Sequence, residues 1–205
     1  MNIKAVVFDY GGVICFPPSQ ENLAELEKLT GLDQKTLWEL NRKNRGEWDR
    51  GTFNGIDYYR HILSGAGIFP DDNSLEEITL TDMEGWKRIN SETVQLMHDL
   101  KAAGLTIGIC SNMPNDFYSW AKDELPVFMV SHVNVISCSC NIIKPEIGIF
   151  ELLQKQINFE FGEIVFFDDF ADNVAAARGL GMKSFIWEGA DAARKIIETS
   201  LGKKL

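Results

Sequence analysis

The chain has 205 residues and a formal net charge of −10, which is enough for one domain with a large core, or one domain plus a small insertion. The negative charge repels phosphate backbones and argues against nucleic acid as a partner. No apolar run approaches membrane-spanning length and no leader peptide precedes the first strand, so we expect a cytoplasmic protein with no membrane partner. We expect reduced thiols at its four cysteines, Cys15, Cys110, Cys138 and Cys140.

Short apolar runs alternate with helical patterns along most of the chain. Strands that are buried on both faces of a sheet have continuous apolar sequences of this kind. Their alternation with helices predicts an α/β fold, a Rossmann-like open parallel sheet with helices on both faces. The predicted strands are at residues 3–8, 105–110, 133–137, 163–167 and 183–187.

The stretch 15–89 interrupts this alternation because it contains no convincing strand. A helical insertion directly after the first strand would lie over the carboxyl end of that strand. We therefore predict a core made of residues 1–14 and 90–205, with residues 15–89 as an inserted α-helical cap subdomain. Its pattern predicts four helices, whose N-terminal caps are Ser19, Asp33, Asn54 and, in a capping box, Ser74.

Polar residues follow the strands at the points where the strands end. Because ligands of open parallel sheets bind beyond the carboxyl ends of the strands, we expect these side chains to meet at one edge. They supply a nucleophilic carboxylate, a hydroxyl, an ammonium and an adjacent acid pair, which is what phosphoryl transfer through an aspartyl-phosphate needs. Mg²⁺ fits the acid pair, since it binds carboxylates, waters and phosphate oxygens. The residues are Asp9, Ser111, Asn112, Lys144, Asp168 and Asp169.

The order and spacing of these motifs resemble the haloacid dehalogenase superfamily of hydrolases, in the phosphatase branch with a helical cap after the first motif. The first motif, Asp-Tyr-Gly-Gly-Val from Asp9, is similar to the DxGNV motif of a subgroup that includes sugar-phosphate phosphatases. Gly12 stands in place of the Asn of that motif. The resemblance implies a Mg²⁺-dependent phosphatase acting on a small phosphorylated metabolite, such as a sugar phosphate. We expect a monomer or small homo-oligomer.

The resemblance also implies roles for the acidic residues. It makes Asp9 the nucleophile that carries the aspartyl-phosphate. Asp169 would bind the metal directly and Asp168 through a water, while Asp9 and the main-chain carbonyl of Gly11 complete the protein ligands. Asn173 would order the loop of this last motif.

The remaining motif residues would act on the phosphate. Ser111 and Lys144 are the other predicted catalytic residues, Ser111 as a hydrogen-bond donor and Lys144 as a positive charge beside Asp9. Asn112 joins them as a predicted phosphate-binding residue on the leaving-group side.

Gly11 departs from the family pattern. In most phosphatases of this family the residue two after the nucleophile is an acid, which protonates the leaving oxygen and then activates water. Such help is worth about 10²–10⁴-fold in rate. Without it, a cap residue or a metal-bound water substitutes, or the enzyme is slow and suited to a good leaving group. The third outcome is a catalytically impaired relative that binds a phosphorylated metabolite or a partner protein.

A metal-free haloacid dehalogenase is a further alternative. Dehalogenases of this superfamily also lack the second acid, but they place Tyr two residues after the nucleophile, whereas here Tyr10 directly follows Asp9. They also lack an adjacent acid pair in the last motif. Asp168 and Asp169 therefore favour phosphate chemistry.

Basic residues cluster near Trp48 in the predicted cap. They are candidates to bind an anionic substrate, and a solvated helix of mixed charge is the other interpretation. They are Arg42, Lys43, Arg45 and Arg50.

Overall fold

The computed structural model describes residues 3–205. Its sheet has five strands, which are β1 (Ala5–Phe8), β2 (Thr106–Ser111), β3 (Val133–Ile136), β4 (Ile164–Asp168) and β5 (Lys183–Ile186). All four pairings are parallel, and the spatial order is β3-β2-β1-β4-β5. This confirms the predicted Rossmann-like parallel sheet and places β1, the strand before Asp9, at its centre.

Eleven helices are present in residues 3–205, together with a 3₁₀ turn at Phe161–Glu163 before β4. Five lie between β1 and β2, and the last of these leads into β2. The helices are α1 (Gln20–Thr30), α2 (Gln34–Asp49), α3 (Gly55–Gly65), α4 (Asp72–Gly85), α5 (Ser91–Ala102), α6 (Asn115–Glu124), α7 (Val127–Val130), α8 (Ser137–Cys140), α9 (Ile147–Ile157), α10 (Ala171–Gly179) and α11 (Ala190–Leu201).

Successive residues of β1 pack against different helix layers, because side chains alternate between the two faces of a strand. Val6 and Phe8 belong to the cluster formed with helices α5, α6, α7 and α11. Ala5 and Val7 belong to the cluster formed with α9 and α10. Burial on both faces explains why the strands are continuous apolar runs.

Helices α1–α4, which we call the helical insertion, pack around a hydrophobic cluster of their own. Trp48, Tyr58 and Tyr59 are its largest side chains and are fully buried. The segments that enter and leave the insertion lie side by side, since the main chains of Cys15 and Ile89 form an isolated antiparallel β-bridge.

Three of the four predicted helix caps in the insertion are present, and one prediction is wrong. Ser19, Asp33 and Asn54 each accept a hydrogen bond from the main-chain N–H three residues later. The last helix begins earlier than predicted, because Asp71 is its cap and accepts from the N–H of Ser74 at 2.9 Å. Ser74 therefore lies in the first turn of α4, where its N–H needs an acceptor.

None of the helices within residues 3–205 combines the length and the apolar composition that crossing a membrane requires.

Candidate active site

The predicted nucleophile lies at the centre of the carboxyl edge of the sheet. Phe8 pairs with Ile109 of β2 and with Phe167 of β4. Asp9 comes next in the chain, and its N–H donates to the carbonyl of Phe167 at 2.9 Å. Asp168 is the last residue of β4. The register of three adjacent parallel strands therefore brings these polar side chains to one place.

The ammonium of Lys144 lies between two carboxylates and contacts both. Its Nζ lies 2.8 Å from Asp9 Oδ1 and 2.6 Å from Asp168 Oδ2. The side chain is almost completely buried, and the two acids hold the pKa of Lys144 above its ordinary value despite that burial. A buried ammonium between two carboxylates is positioned to offset negative charge on this edge of the sheet.

Asn112 holds the main chain of Lys144. Its amide nitrogen donates to the carbonyl of Lys144 at 2.9 Å, and its amide oxygen accepts from the N–H of Lys144 at 2.7 Å. This pair of bonds fixes the loop that carries the ammonium. The contact predicted between Asn112 and a phosphate stays a prediction.

Asp168 is held by several donors. Besides Lys144, the N–H of Phe170 and the side-chain amide of Asn173 donate to its carboxylate, at 2.8 Å and 2.9 Å. Asn173 therefore orders this turn, as the resemblance implies. The result is a fully buried carboxylate with a fixed orientation.

Three carboxylates form the metal candidate. Asp9, Asp168 and Asp169 each offer an oxygen, and these oxygens lie within 4.8 Å of one another. Burial raises the pKa of Asp9 to about 7, where Lys144 opposes the shift and the other two acids add to it. Loss of surrounding water, followed by the charge of Asp168, raises the pKa of Asp169 to about 6.

The close approach of these three acids suits a site that binds a cation. Each raised pKa means that the charged carboxylate is unfavourable there without a counter-charge. A donor set made only of oxygens suits Mg²⁺ better than a softer metal. The carbonyl of Gly11 as a further ligand stays a prediction.

Gly12 allows Asp169 to approach the first motif. Its φ is +69°, and a Cβ at this position would lie 2.6 Å from Asp169 Oδ2. Glycine adopts this backbone conformation without strain, and any other side chain here would displace the Asp169 carboxylate. The Asn of the DxGNV pattern would displace this carboxylate, and sequence reasoning did not foresee the contact.

Trp86 covers Gly11. A Cβ on Gly11 would lie 3.3 Å from Trp86 Cζ3, so a side chain here would crowd the ring. Tyr10 donates its hydroxyl to the carbonyl of Trp86 at 2.9 Å and so fixes this part of the chain. No sequence signal connects Trp86 with the first motif, because the contact spans the whole insertion.

Ser111 ends β2 and is buried. Its hydroxyl lies 3.4 Å from the carbonyl of Asn112. This places the hydroxyl at the same edge of the sheet as Asp9, in keeping with its predicted contact with a phosphate, which stays a prediction.

The helical insertion contacts the loops around this edge. Trp48 Nε1 donates to Asp116 Oδ2 at 2.8 Å, close to the end of β2. Arg50 binds Glu146 with its two terminal nitrogens, at 2.6 Å and 3.2 Å. With the insertion in this position, Asp9 and Lys144 are only 7% and 3% exposed.

Two of the basic residues singled out in the insertion have structural partners. Arg45 contacts Asp49 at 3.2 Å and Asp82 at 2.8 Å, and Arg50 makes the contacts just described. The guanidinium of Arg45 also lies over the Trp48 ring, 4.3 Å from its centroid. These two side chains hold the insertion together and onto the core, while Arg42 and Lys43 are exposed.

A family model described as haloacid dehalogenase-like hydrolase matches residues 3–181. The chain belongs to this family. Among curated proteins, sesquiterpene phosphatase astK of Aspergillus oryzae is 26% identical over 181 residues, which cover 87% of each chain. Bifunctional epoxide hydrolase 2 of Sus scrofa is 25% identical over 222 residues, and the match spans 40% of its length.

Solved structures of this family share the fold. A family enzyme of Bacteroides thetaiotaomicron in complex with magnesium and inorganic phosphate has a TM-score of 0.72 at 19% identity, over 92% of this chain and 96% of that one. The L-2-haloacid dehalogenase RSc1362 has a TM-score of 0.73 at 17% identity, over 92% and 87%. At these identities the likeness shows the haloacid dehalogenase fold alone.

Proposed function

We propose that the protein is a Mg²⁺-dependent phosphatase that hydrolyses a small phosphorylated metabolite through an aspartyl-phosphate on Asp9. The observation that carries the proposal is the cluster of Asp9, Asp168 and Asp169 within 4.8 Å, with Lys144 2.8 Å from Asp9. The magnesium and phosphate complex of the Bacteroides thetaiotaomicron enzyme and the phosphatase named among the relatives support it.

The chain's own residues would bind and orient the phosphate. Tyr10 N–H and Lys144 both donate to Asp9 Oδ1, at 2.6 Å and 2.8 Å, and so fix the plane of the carboxylate. Asp9 attacks phosphorus as an oxygen nucleophile. Lys144 offsets the negative charge that gathers there, and Ser111 donates its hydroxyl to a phosphate oxygen.

Mg²⁺ held by Asp9, Asp168 and Asp169 would draw charge from the phosphoryl oxygens and hold the phosphate against the nucleophile. The helical insertion acts as the cap. It shields the acyl-phosphate from bulk water until the leaving group has departed, in keeping with the low exposure of Asp9.

Dehalogenase chemistry is the competing enzyme activity, since dehalogenases share this fold. The clustered acids favour the phosphatase, because a metal-free site gains nothing from three carboxylates whose charges repel each other. A sugar phosphate is the metabolite class that the first motif suggests.

An aryl phosphate assay separates the candidates. We expect hydrolysis that requires Mg²⁺ and stops in excess chelator, and a panel of sugar phosphates then narrows the substrate. Release of halide from 2-haloacids without metal supports the dehalogenase. Phosphate binding with no turnover of any ester supports an impaired binding protein.

A further inference from the structure

The position that carries an acid in most phosphatases of this family is Gly11 in this chain, and Trp86 lies against it. A Cβ built on Gly11 would lie 3.3 Å from Trp86 Cζ3, so a side chain here would require the ring to shift. The indole N–H of Trp86 points away and donates to Asp82 Oδ1 at 3.0 Å. A proton donor for the leaving oxygen must therefore come from another element.

The helical insertion contains two buried carboxylates joined by one arginine. Asp82 is fully engaged, since it accepts from Arg45 at 2.8 Å, from Tyr59 at 2.7 Å and from Trp86. Asp49 is different, because only its Oδ1 is engaged, by Arg45 Nε at 3.2 Å. Within residues 3–205 the side-chain hydrogen bond of Asp49 reaches Oδ1 alone, so Oδ2 has no donor there and can bind a ligand.

Asp49 lies where the insertion meets the catalytic edge of the sheet. It is the last residue of α2, and its carbonyl accepts from the hydroxyl of Ser137, the first residue after β3. Ser137 in turn accepts from the N–H of Met113, at 2.9 Å, in the loop that follows β2. Lys144 is one of the charged groups close enough to Asp49 to oppose the rise in its pKa.

The surroundings of Asp49 favour its protonated form. Burial raises the pKa of Asp49, and the charge of Asp82 adds to the shift, while Arg45 and Lys144 oppose it. A carboxyl group with a raised pKa is a better proton donor near neutral pH than an exposed one.

We propose, on the basis of the phosphatase activity proposed above, that Asp49 is the general acid and base that the first motif lacks. As Asp9 bonds to phosphorus, the bond from phosphorus to the leaving oxygen breaks and that oxygen takes the Asp49 proton. Asp49, now a carboxylate, takes a proton from water as the water oxygen bonds to phosphorus. The bond from phosphorus to Asp9 then breaks, which returns both acids to their starting forms and releases phosphate.

The test compares esters whose leaving groups differ in basicity, because a general acid matters most for the most basic leaving oxygen. With wild-type protein and Mg²⁺, kcat/KM should change little between aryl and alkyl phosphates. Asp49→Asn keeps the volume and the acceptor for Arg45. It should lower kcat/KM by about 10²-fold or more for alkyl phosphates, and by less than about 10-fold for p-nitrophenyl phosphate.

Asp116→Asn is the matched control, since it changes an acid at the same junction that already accepts from Trp48 Nε1 and from the N–H of Gly55 and does not act on the pKa of Asp49. Its dependence on the leaving group should equal that of the wild type. Thermal unfolding shows which variants are folded, and Asp49→Ser replaces Asp49→Asn if that variant is not.

Equal losses for both ester classes in the Asp49 variants, or a wild-type rate that falls steeply with leaving-group basicity, would overturn the assignment. Either result would leave the proposed phosphatase intact, because both require a working wild-type enzyme. A wild type that hydrolyses no ester at all refutes the proposed function itself and the role of Asp49 with it.

Discussion

Asp9 combines the features expected of a buried nucleophile. Its pKa of about 7 arises first from burial, and Lys144 compensates only in part. A neutral side chain of the same shape removes the buried charge, while Lys144 keeps its contact with Asp168, at 2.6 Å.

Asp9→Asn should therefore abolish ester hydrolysis without destabilising the metal-free protein. At pH 8 its melting temperature without metal should equal or exceed that of the wild type, because the substitution removes an unfavourable buried carboxylate. Calorimetry and a phosphate-release assay measure the two effects. Turnover near the wild-type rate would make Asp9 a structural residue only.

Gly12→Ala tests the close approach of Asp169 to the first motif. The new Cβ would lie 2.6 Å from Asp169 Oδ2, so this carboxylate must move and Mg²⁺ affinity should fall by about 10-fold or more. Isothermal titration with Mg²⁺ measures the change.

Gly31→Ala is the matched control for Gly12→Ala. Gly31 has a similar φ of +70° but no atom within 4 Å of its Cβ position. Both variants should lose about 1 kcal/mol of stability from the backbone conformation, and only Gly12→Ala should lose metal affinity. Equal Mg²⁺ affinities in the two variants would contradict the geometry of the site.

At the scale of elements, the end of α2 fastens the insertion to the core. Arg50 makes two bonds to Glu146 and a third to the carbonyl of Asn141, at 3.0 Å. Because the side chains of Arg50 and Glu146 are partly exposed, their ion pair contributes no more than about 1 kcal/mol to stability. Their effect should be local.

Arg50→Ala should loosen the insertion without unfolding the protein. We expect faster amide exchange in α2 and in the loop before α9, with little change in melting temperature. Arg60→Ala is the control, because Arg60 pairs with Asp57 and Asp72 inside the insertion and does not reach the core. Identical exchange in the two variants would show that the Arg50 contacts do not hold the cap.

The strands and most helix caps could be predicted because the sequence signals for them are local. Continuous apolar runs and single capping residues such as Asn54 were sufficient for the strands and for three caps. The start of α4 was misplaced because two acids, Asp71 and Asp72, precede Ser74, and the pattern does not show which residue accepts the first bonds.

For the site, the sequence predicts only the residues that belong to its motifs. Asp9 and the acid pair follow strands, so topology alone brings them together. The contacts of Trp86 with Gly11 and of Ser137 with Asp49 join residues far apart in the chain, and packing of the insertion decides them. No period or spacing in the sequence encodes such contacts.

For the whole molecule, pH and metal should act on stability together. In the metal-free protein Asp9 and Asp169 have raised pKa values, about 7 and about 6, and so hold protons more tightly folded than unfolded. The free energy of unfolding contributed by these groups therefore falls as pH rises from about 4 to about 7.

Mg²⁺ binds the deprotonated acids, so its stabilising effect should be larger at pH 8 than at pH 5. Scanning fluorimetry with Mg²⁺ or chelator at both pH values measures the shift in melting temperature. Ca²⁺ serves as a control for unspecific ionic effects, since it prefers more ligands at longer distances. A Mg²⁺ shift that is the same at both pH values would contradict a site made of these carboxylates.

The proposed function requires that phosphate passes through Asp9 in a Mg²⁺-dependent reaction. The most direct measurement is acid quenching during turnover of an aryl phosphate, followed by mass spectrometry of the intact protein and of its peptides. We expect one phosphoryl group on the peptide that contains Asp9, absent in Asp9→Asn and in excess chelator. Undiminished turnover in excess chelator, or turnover with the phosphoryl group on another residue, would contradict it.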